Sequence, residues 1–259
     1  MAHDTSSSGT PRAAAATELR TIYNNKYGDG PFRRIVLYPD RMSTQRYDDV
    51  ARLVRNERGD LFEFGCGDGQ LLIALADRFG RLAGVDLSDR RIARGVEAVH
   101  RTMPELAPRL DLRPIAGEVA LPFEDDSFDV VLAIAVIEHC VDVFFVMDEL
   151  ARICRPGGAV VVSVPNACYV RNAFWLLLGD IPLTGTHTRD MRYWRECGWD
   201  GGHLHQFSKP ALDALLRHVG LIPEAWTGDG RLARLRRWHC NLVGSLTVRA
   251  RKPGGAPAR

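Results

Sequence analysis

The chain has 259 residues, 46% of them hydrophobic and 25% charged, with a formal net charge of +2. That length can bury a large core as one domain, or one domain with a lid, and the hydrophobic share excludes wholesale disorder. No uncharged apolar run reaches the roughly 18 residues that span a bilayer, and the small net charge argues against a dedicated nucleic-acid or membrane binder.

Residues 1–16 read as a flexible leader without an apolar signal region. Residues 17–58 form an N-terminal lid followed by a helix over about 44–57. Leu61–Phe64 is an apolar strand that stops at a glycine cluster. Gln70–Phe79 has Leu71, Leu72, Leu75 and Ala76 at helical spacing. Arg81–Leu87 is a second strand, followed by a helix over about 89–101. Asp111–Ala116 is a weak third strand interrupted by Pro114, and Phe128–Ala135 is a strong fourth. Phe144–Cys154 is helical and Ala159–Val164 is a fifth strand. Near-continuous apolar strands alternating with helices indicate a doubly wound, Rossmann-like α/β sheet covered on both faces. After Pro165 an insertion at 166–207 is rich in Trp, Arg, His and Gly. A helix at about 209–218 and strands near 221–227 and 245–250 complete a core spanning 59–251, and 252–259 reads as a loose tail.

Two compositional features need comment. Lysine occurs only at 26, 209 and 252, so arginine supplies 31 of the 34 basic residues, which reads as a coding bias. The six cysteines (66, 140, 154, 168, 197, 240) form no C-x-x-C, which suits a reducing, cytoplasmic protein.

Four motifs carry chemistry. In Glu63-Phe64-Gly65-Cys66-Gly67-Asp68-Gly69, glycines allow a tight strand-to-helix turn and close backbone approach to a ligand. A dinucleotide fingerprint would need glycine where Gln70 stands, which argues against NAD or FAD. Asp86 ends the second strand, where a carboxylate can accept hydrogen bonds from both hydroxyls of a ribose. Ser88 or Asp89 could cap the following helix, so Asp86 is not needed for that purpose. The acid-rich turn Leu121–Asp126 leads into strand four, which delivers Glu138 and His139 beyond its C-terminal edge. Arg155-Pro156-Gly157-Gly158 turns the chain into strand five.

In this order and spacing the motifs resemble those of class I S-adenosylmethionine-dependent methyltransferases, over about residues 59–165. The resemblance implies a seven-stranded sheet with the last strand antiparallel, and S-adenosyl-L-methionine as cofactor. It implies that Gly65, Cys66, Gly67, Asp68 and Gly69 hold the methionine moiety, with Glu63 near the ammonium group. Asp86 would take the ribose hydroxyls and Leu87 would lie against the adenine. Gly117 and Glu118 stand where the family places the acid for the adenine amino group, one residue closer to Leu-Pro-Phe than usual. Ile134 and Ala135 would line the cofactor. One arginine of the lid, Arg46 or Arg41, would pair with the cofactor carboxylate, and Tyr23 and Tyr27 are further lid contacts.

The acceptor is expected to be a small molecule methylated at O or N, in natural-product or sugar modification. A hydroxyl acceptor benefits from a positioned base. His139 is the first candidate, Glu138 the second, and His203 and His205 follow. Histidines two apart in an extended segment point to opposite sides, so one of the latter pair faces the site. Trp175, Tyr193, Trp194 and Trp199 could wall the substrate, and Arg171, Arg189, Arg192 and Arg195 lie in the same insertion. No metal is expected. Some related O-methyltransferases place a further glutamate three residues before the Glu-His pair, and Ala135 stands there. Two alternatives remain: an RNA 2′-O-methyltransferase, disfavoured by Ala135 and the small net charge, and a non-catalytic MetW-like partner of a biosynthetic enzyme. The insertion shares features with that subgroup. No membrane partner is expected, nucleic acid is disfavoured despite the basic run Arg231–Arg237, and a homodimer is left open.

Overall fold

The structure is a computed structural model, and it describes residues 20, 21, 23–25, 28–38, 45–179, 203–229 and 240–254. Helix α1 (Arg46–Leu53) leads into β1 (Leu61–Phe64), α2 (Gln70–Ala74), β2 (Leu82–Asp86), α3 (Asp89–Thr102), β3 (Leu110–Pro114) and β4 (Phe128–Ile134). The chain continues through α4 (Val143–Ile153), β5 (Cys154–Pro165), α5 (Val170–Leu177), α6 (Lys209–His218), β6 (Ile222–Thr227) and β7 (Ser245–Arg251).

The seven strands form one sheet in the order β3-β2-β1-β4-β5-β7-β6. The first five pair in parallel, and β7 runs antiparallel between β5 and β6. That is the sheet the sequence led us to expect. Every residue of β1 and β2 is buried, as parallel strands covered on both faces require. Alternate side chains serve two separate cores. Phe62, Val131 and Val160 pack with Met147 and Leu150 of α4 and Leu212 and Leu216 of α6. Leu61, Val130 and Val161 pack with Val50 of α1, Leu72 of α2 and Ile92 and Val99 of α3.

Helix starts follow their caps. Ser88 Oγ accepts the Arg91 N–H, Asp142 caps α4 through the Phe145 N–H, and Ser208 caps α6 through the Ala211 N–H. Boundaries differ from the sequence expectation in three places. The helix expected over 70–79 ends at Ala74, and a 3-10 turn continues over Ala76–Arg78. β5 begins at Cys154, directly from α4, so Pro156-Gly157-Gly158 lies within the strand. The register against β4 shifts there, between Phe128 and Val130. Pairing also runs one residue into the expected tail, because Gly157 N–H donates to Lys252 O at 2.8 Å and Lys252 N–H to Gly158 O at 3.0 Å. Among the described residues no helix is long and apolar enough to cross a membrane.

Candidate active site

β1, β2 and β4 run in one direction, so their C-terminal ends share an edge, and the strand order reverses between β1 and β4. Loops leaving that point diverge and open a crevice. After Phe64 the chain turns through Gly65–Gly69 into α2. Gly65, Gly67 and Gly69 have φ of 73°, 58° and 73°, a left-handed conformation that glycine adopts without penalty. Gly67 N–H donates to Asp86 Oδ2 at 2.8 Å and Ser88 N–H to Asp86 Oδ1 at 2.8 Å. The buried Asp86 thus ties the glycine loop to the start of α3. Burial pushes its carboxyl upward, against the pull of these N–H donors and Arg91.

Beneath the loop, the buried Asp68 accepts Arg94 Nη2 at 3.1 Å and Gln70 Nε2 at 3.1 Å. Arg94 also donates to the carbonyls of Gly28 and Gly30, at 3.0 and 3.2 Å. One guanidinium therefore holds both the loop and the N-terminal segment. A Cβ on Gly95 would stand 2.4 Å from the Asp68 carbonyl oxygen. Sequence reasoning missed Arg94 and Gly95, because their partners lie on distant segments. Cys66 is buried under Gly84, and burial pushes its thiol well up, as an unreactive packing residue requires.

A cavity opens at this edge. Of the expected cofactor residues, Gly65, Asp86, Leu87, Gly117 and Glu118 line it, with His139 on the same wall. Phe64, Ile115 and Val136 supply apolar surface, Cys140 adds a further side, and Tyr23 comes from the N-terminal segment. That segment is held by Arg20 Nη2, which donates to Ile115 O at 2.9 Å, and by Asn24, which pairs with Ser88 and Asp89. Glu63, Cys66, Gly67, Asp68, Gly69, Ile134, Ala135 and Arg46 are not among its lining residues. Glu63 is buried on β1, and burial together with the nearby Asp86 pushes its carboxyl well up. Ala135 closes β4 with a φ of 55°, and Arg46 lies 3.8 Å from Asp229. Both carboxylate oxygens of Glu118 accept backbone N–H groups, from Val141 and from Asp142. A contact with an adenine amino group would share them.

Beside the cavity, a 3-10 turn after β4 carries Glu138 and His139. Glu138 is buried, and that burial pushes its carboxyl up to about 7, with Arg46 pulling the other way. The His139 and His203 rings meet edge to face, with centroids 4.8 Å apart. Leu204 and His205 donate their N–H groups to Glu138 O at 2.8 and 3.1 Å. His205 turns the other way, its Nε2 2.8 Å from Cys140 O. His203 thus faces the cluster and His205 the backbone. Trp175 lies on α5. Tyr27, Arg41, Arg189, Arg192, Tyr193, Trp194, Arg195, Trp199 and the 231–237 run lie outside the described residues.

The residues fit the expected cofactor. Bare glycine backbone, a carboxylate at the end of β2 and apolar walls meet in one cavity. The chain matches the family model described as a methyltransferase domain over residues 39–224. It is similar to a ubiquinone biosynthesis O-methyltransferase of Sinorhizobium medicae, 37% identical over 106 residues, 41% of each chain. It is also similar to the 27-O-demethylrifamycin SV methyltransferase of Amycolatopsis mediterranei, 28% identical over 191 residues, covering 72% of this chain and 62% of that one. The chain thus spans less than two thirds of the length of these curated relatives. Among solved structures it shares its fold with a geranyl diphosphate C-methyltransferase of Streptomyces coelicolor bound to S-adenosyl-L-homocysteine. There the TM-score is 0.60 and the identity 14%, over 95% of this chain and 100% of that one. The glycine loop, the Asp86 anchor, the strand order and the family match agree, and the chain belongs to the methyltransferase-domain family of class I S-adenosylmethionine-dependent enzymes.

Proposed function

We propose that the protein transfers a methyl group from S-adenosylmethionine to an oxygen or nitrogen atom of a small molecule, in natural-product or sugar modification. The observation that carries this reading is that Asp86, the Gly65 turn and His139 line one and the same cavity. When bound, the cofactor supplies a methyl group already activated by its sulfonium. The chain's own contribution is then alignment, exclusion of water and management of the acceptor's proton. The Gly65–Gly69 backbone and Glu63 hold the amino-acid end. Asp86 keeps acceptor capacity for ribose hydroxyls beyond its two backbone donors. Leu87 and Ile115 flank the adenine, and Glu118 fixes the wall beside it. His139 takes the proton from an acceptor hydroxyl. The names of the two relatives, one for an O-methylation in ubiquinone biosynthesis and one for a demethylrifamycin, support a small-molecule acceptor.

Calorimetric titration with S-adenosylmethionine and S-adenosylhomocysteine tests the cofactor site. Asp86→Ala should weaken binding about tenfold or more, the equivalent of about 1.4 kcal/mol for hydrogen bonds to a charged group. Unchanged affinity in that variant would overturn the assignment. Turnover with a panel of phenols, sugars and amines tests the acceptor class. Cofactor binding without turnover, with co-purification of a biosynthetic enzyme, would replace catalysis by a partner role.

A further inference from the structure

Arg91 stands in the first turn of α3, its backbone N–H bonded to Ser88 Oγ. A helix start favours acids and disfavours cations, so this arginine is held there by something other than the helix. Its side chain reaches back over the glycine loop. A Cβ on Gly67 would run into the Arg91 guanidinium, which therefore covers the bare Cα of that glycine. The same group lies 3.9 Å from Asp68 Oδ1, and its charge pulls the carboxyls of Glu63 and Asp86 down against their burial. All three acids are buried. Glu63 Oε2 and Asp68 Oδ1 have no hydrogen-bond partner among the described residues. Buried acids of this kind are costly without a cation, and Arg91 supplies one from a partly exposed side chain. The lining of the cavity agrees with this placement. Gly65 and Asp86 belong to it, whereas Glu63, Gly67 and Asp68 do not. The part of the glycine loop that Arg91 covers is thus the part that the cavity does not reach.

We propose that Arg91 sets the affinity of the cofactor site: its guanidinium holds the place of the cofactor's ammonium beside Glu63 and Gly67, and it withdraws when the cofactor enters. This rests on the methyl-transfer reading, which puts the amino-acid end of the cofactor on the Gly65–Gly69 backbone and Glu63. Two cations crowded among the same acids repel each other strongly away from water, so guanidinium and ammonium exclude one another. Binding must first break the contacts of Arg91, and the apparent affinity falls by that cost. S-adenosylhomocysteine keeps the ammonium, so the returning arginine also helps to expel the product. An arginine that braced the loop for binding, or gripped the cofactor carboxylate, would act with the opposite sign. Loss of its charge would then weaken binding, whereas loss of a competitor strengthens it.

The test is calorimetry on the full chain and on Arg91→Met, which keeps the length of the side chain without its charge. The variant should bind S-adenosylhomocysteine about threefold or more tightly. Without ligand it should melt about 2–4 °C lower, because its acids have lost their cation. Methylthioadenosine lacks the amino-acid end, so its affinity should be the same for both chains. If Arg91→Met fails to fold, phenylglyoxal labelling of the unmodified protein, mapped by mass spectrometry, decides the matter. Saturating S-adenosylhomocysteine should speed modification of Arg91, since the guanidinium is driven off the loop. Weakened or unchanged affinity for S-adenosylhomocysteine in the folded variant overturns the proposal. So does an equal gain for methylthioadenosine, an unchanged or raised melting temperature, or labelling of Arg91 that S-adenosylhomocysteine slows or leaves alone. In each of these outcomes the unmodified chain still binds S-adenosylhomocysteine, and the methyl-transfer reading stands. Failure of the folded, unmodified chain to bind S-adenosylhomocysteine removes that reading, and the proposal with it.

Discussion

Glu63 is a buried acid in the middle of a sheet, and burial and Asp86 both hold its carboxyl well above the usual carboxylate range. An acid raised in the folded state binds its proton more tightly there than in the unfolded chain. The native state is then unpenalised below about pH 4.5, and it loses stability as pH rises from there toward the folded value. Glu63→Gln should therefore raise the melting temperature of the ligand-free protein at pH 7.5, by about 2–4 °C if 1 kcal/mol is recovered. The gain should vanish near pH 4, while cofactor affinity falls. Thermal denaturation across pH, paired with calorimetry, checks both parts. Identical melting curves at pH 7.5 would show that Glu63 is not held at a cost. At this scale the sequence was informative where chemistry is local. Asp86 and the three glycines were legible because turn geometry and strand position demand those residue types. Arg94, Gly95 and the approach of His203 to His139 were not, since each depends on a partner that only the fold brings near.

α3 crosses the glycine loop in close contact. Gly95 lies on the face of α3 against the loop, with no room for a methyl group before the Asp68 backbone. A flexible side chain could yield there, but a carbonyl held in a tight turn cannot. Gly95→Ala should gain helix propensity yet lose more through the clash, lowering stability by about 1–3 kcal/mol. The same shift should weaken cofactor binding. Chemical denaturation and calorimetry on one sample reveal whether the two losses travel together. The arginine bias also acquires structural meaning at this level. Arg249 reaches Glu57 at 2.6 Å and Glu224 at 3.3 Å, and Arg155 bridges Asp129 and, at 3.2 Å, Asp60. A planar fork can join two acids on separate elements, which the point charge of lysine does less well. Strand positions were legible from apolar runs, but the start of β5 was not. Its first residues include Pro156 and two glycines, and their partners, Phe128 for Cys154 and Lys252 for Gly157 and Gly158, are brought near only by the fold.

Across the whole molecule, one of the three lysines joins the end of the last strand to the start of β5. Lys252 Nζ bonds Asp126 at 2.7 Å and the carbonyl of Cys154 at 2.9 Å, and it reaches Arg152 O at 3.4 Å. A cation at the C-terminus of α4 also suits the helix dipole. Lys252→Ala should lower stability by about 1–2 kcal/mol, readable as a drop in melting temperature. A loss within error would mean that the Lys252 ammonium does not secure this end of the strand. The doubly wound plan was legible in the alternation of strands and helices, while the place of β7 came only from resemblance to a family. That place has a consequence for synthesis. β7 is made after β6 yet separates it from β5, so a growing chain on the ribosome carries two unpaired edges until this strand emerges. Either edge could recruit a neighbouring nascent chain. Translation speed over the stretch from β6 to β7 should therefore govern how much of the protein escapes aggregation.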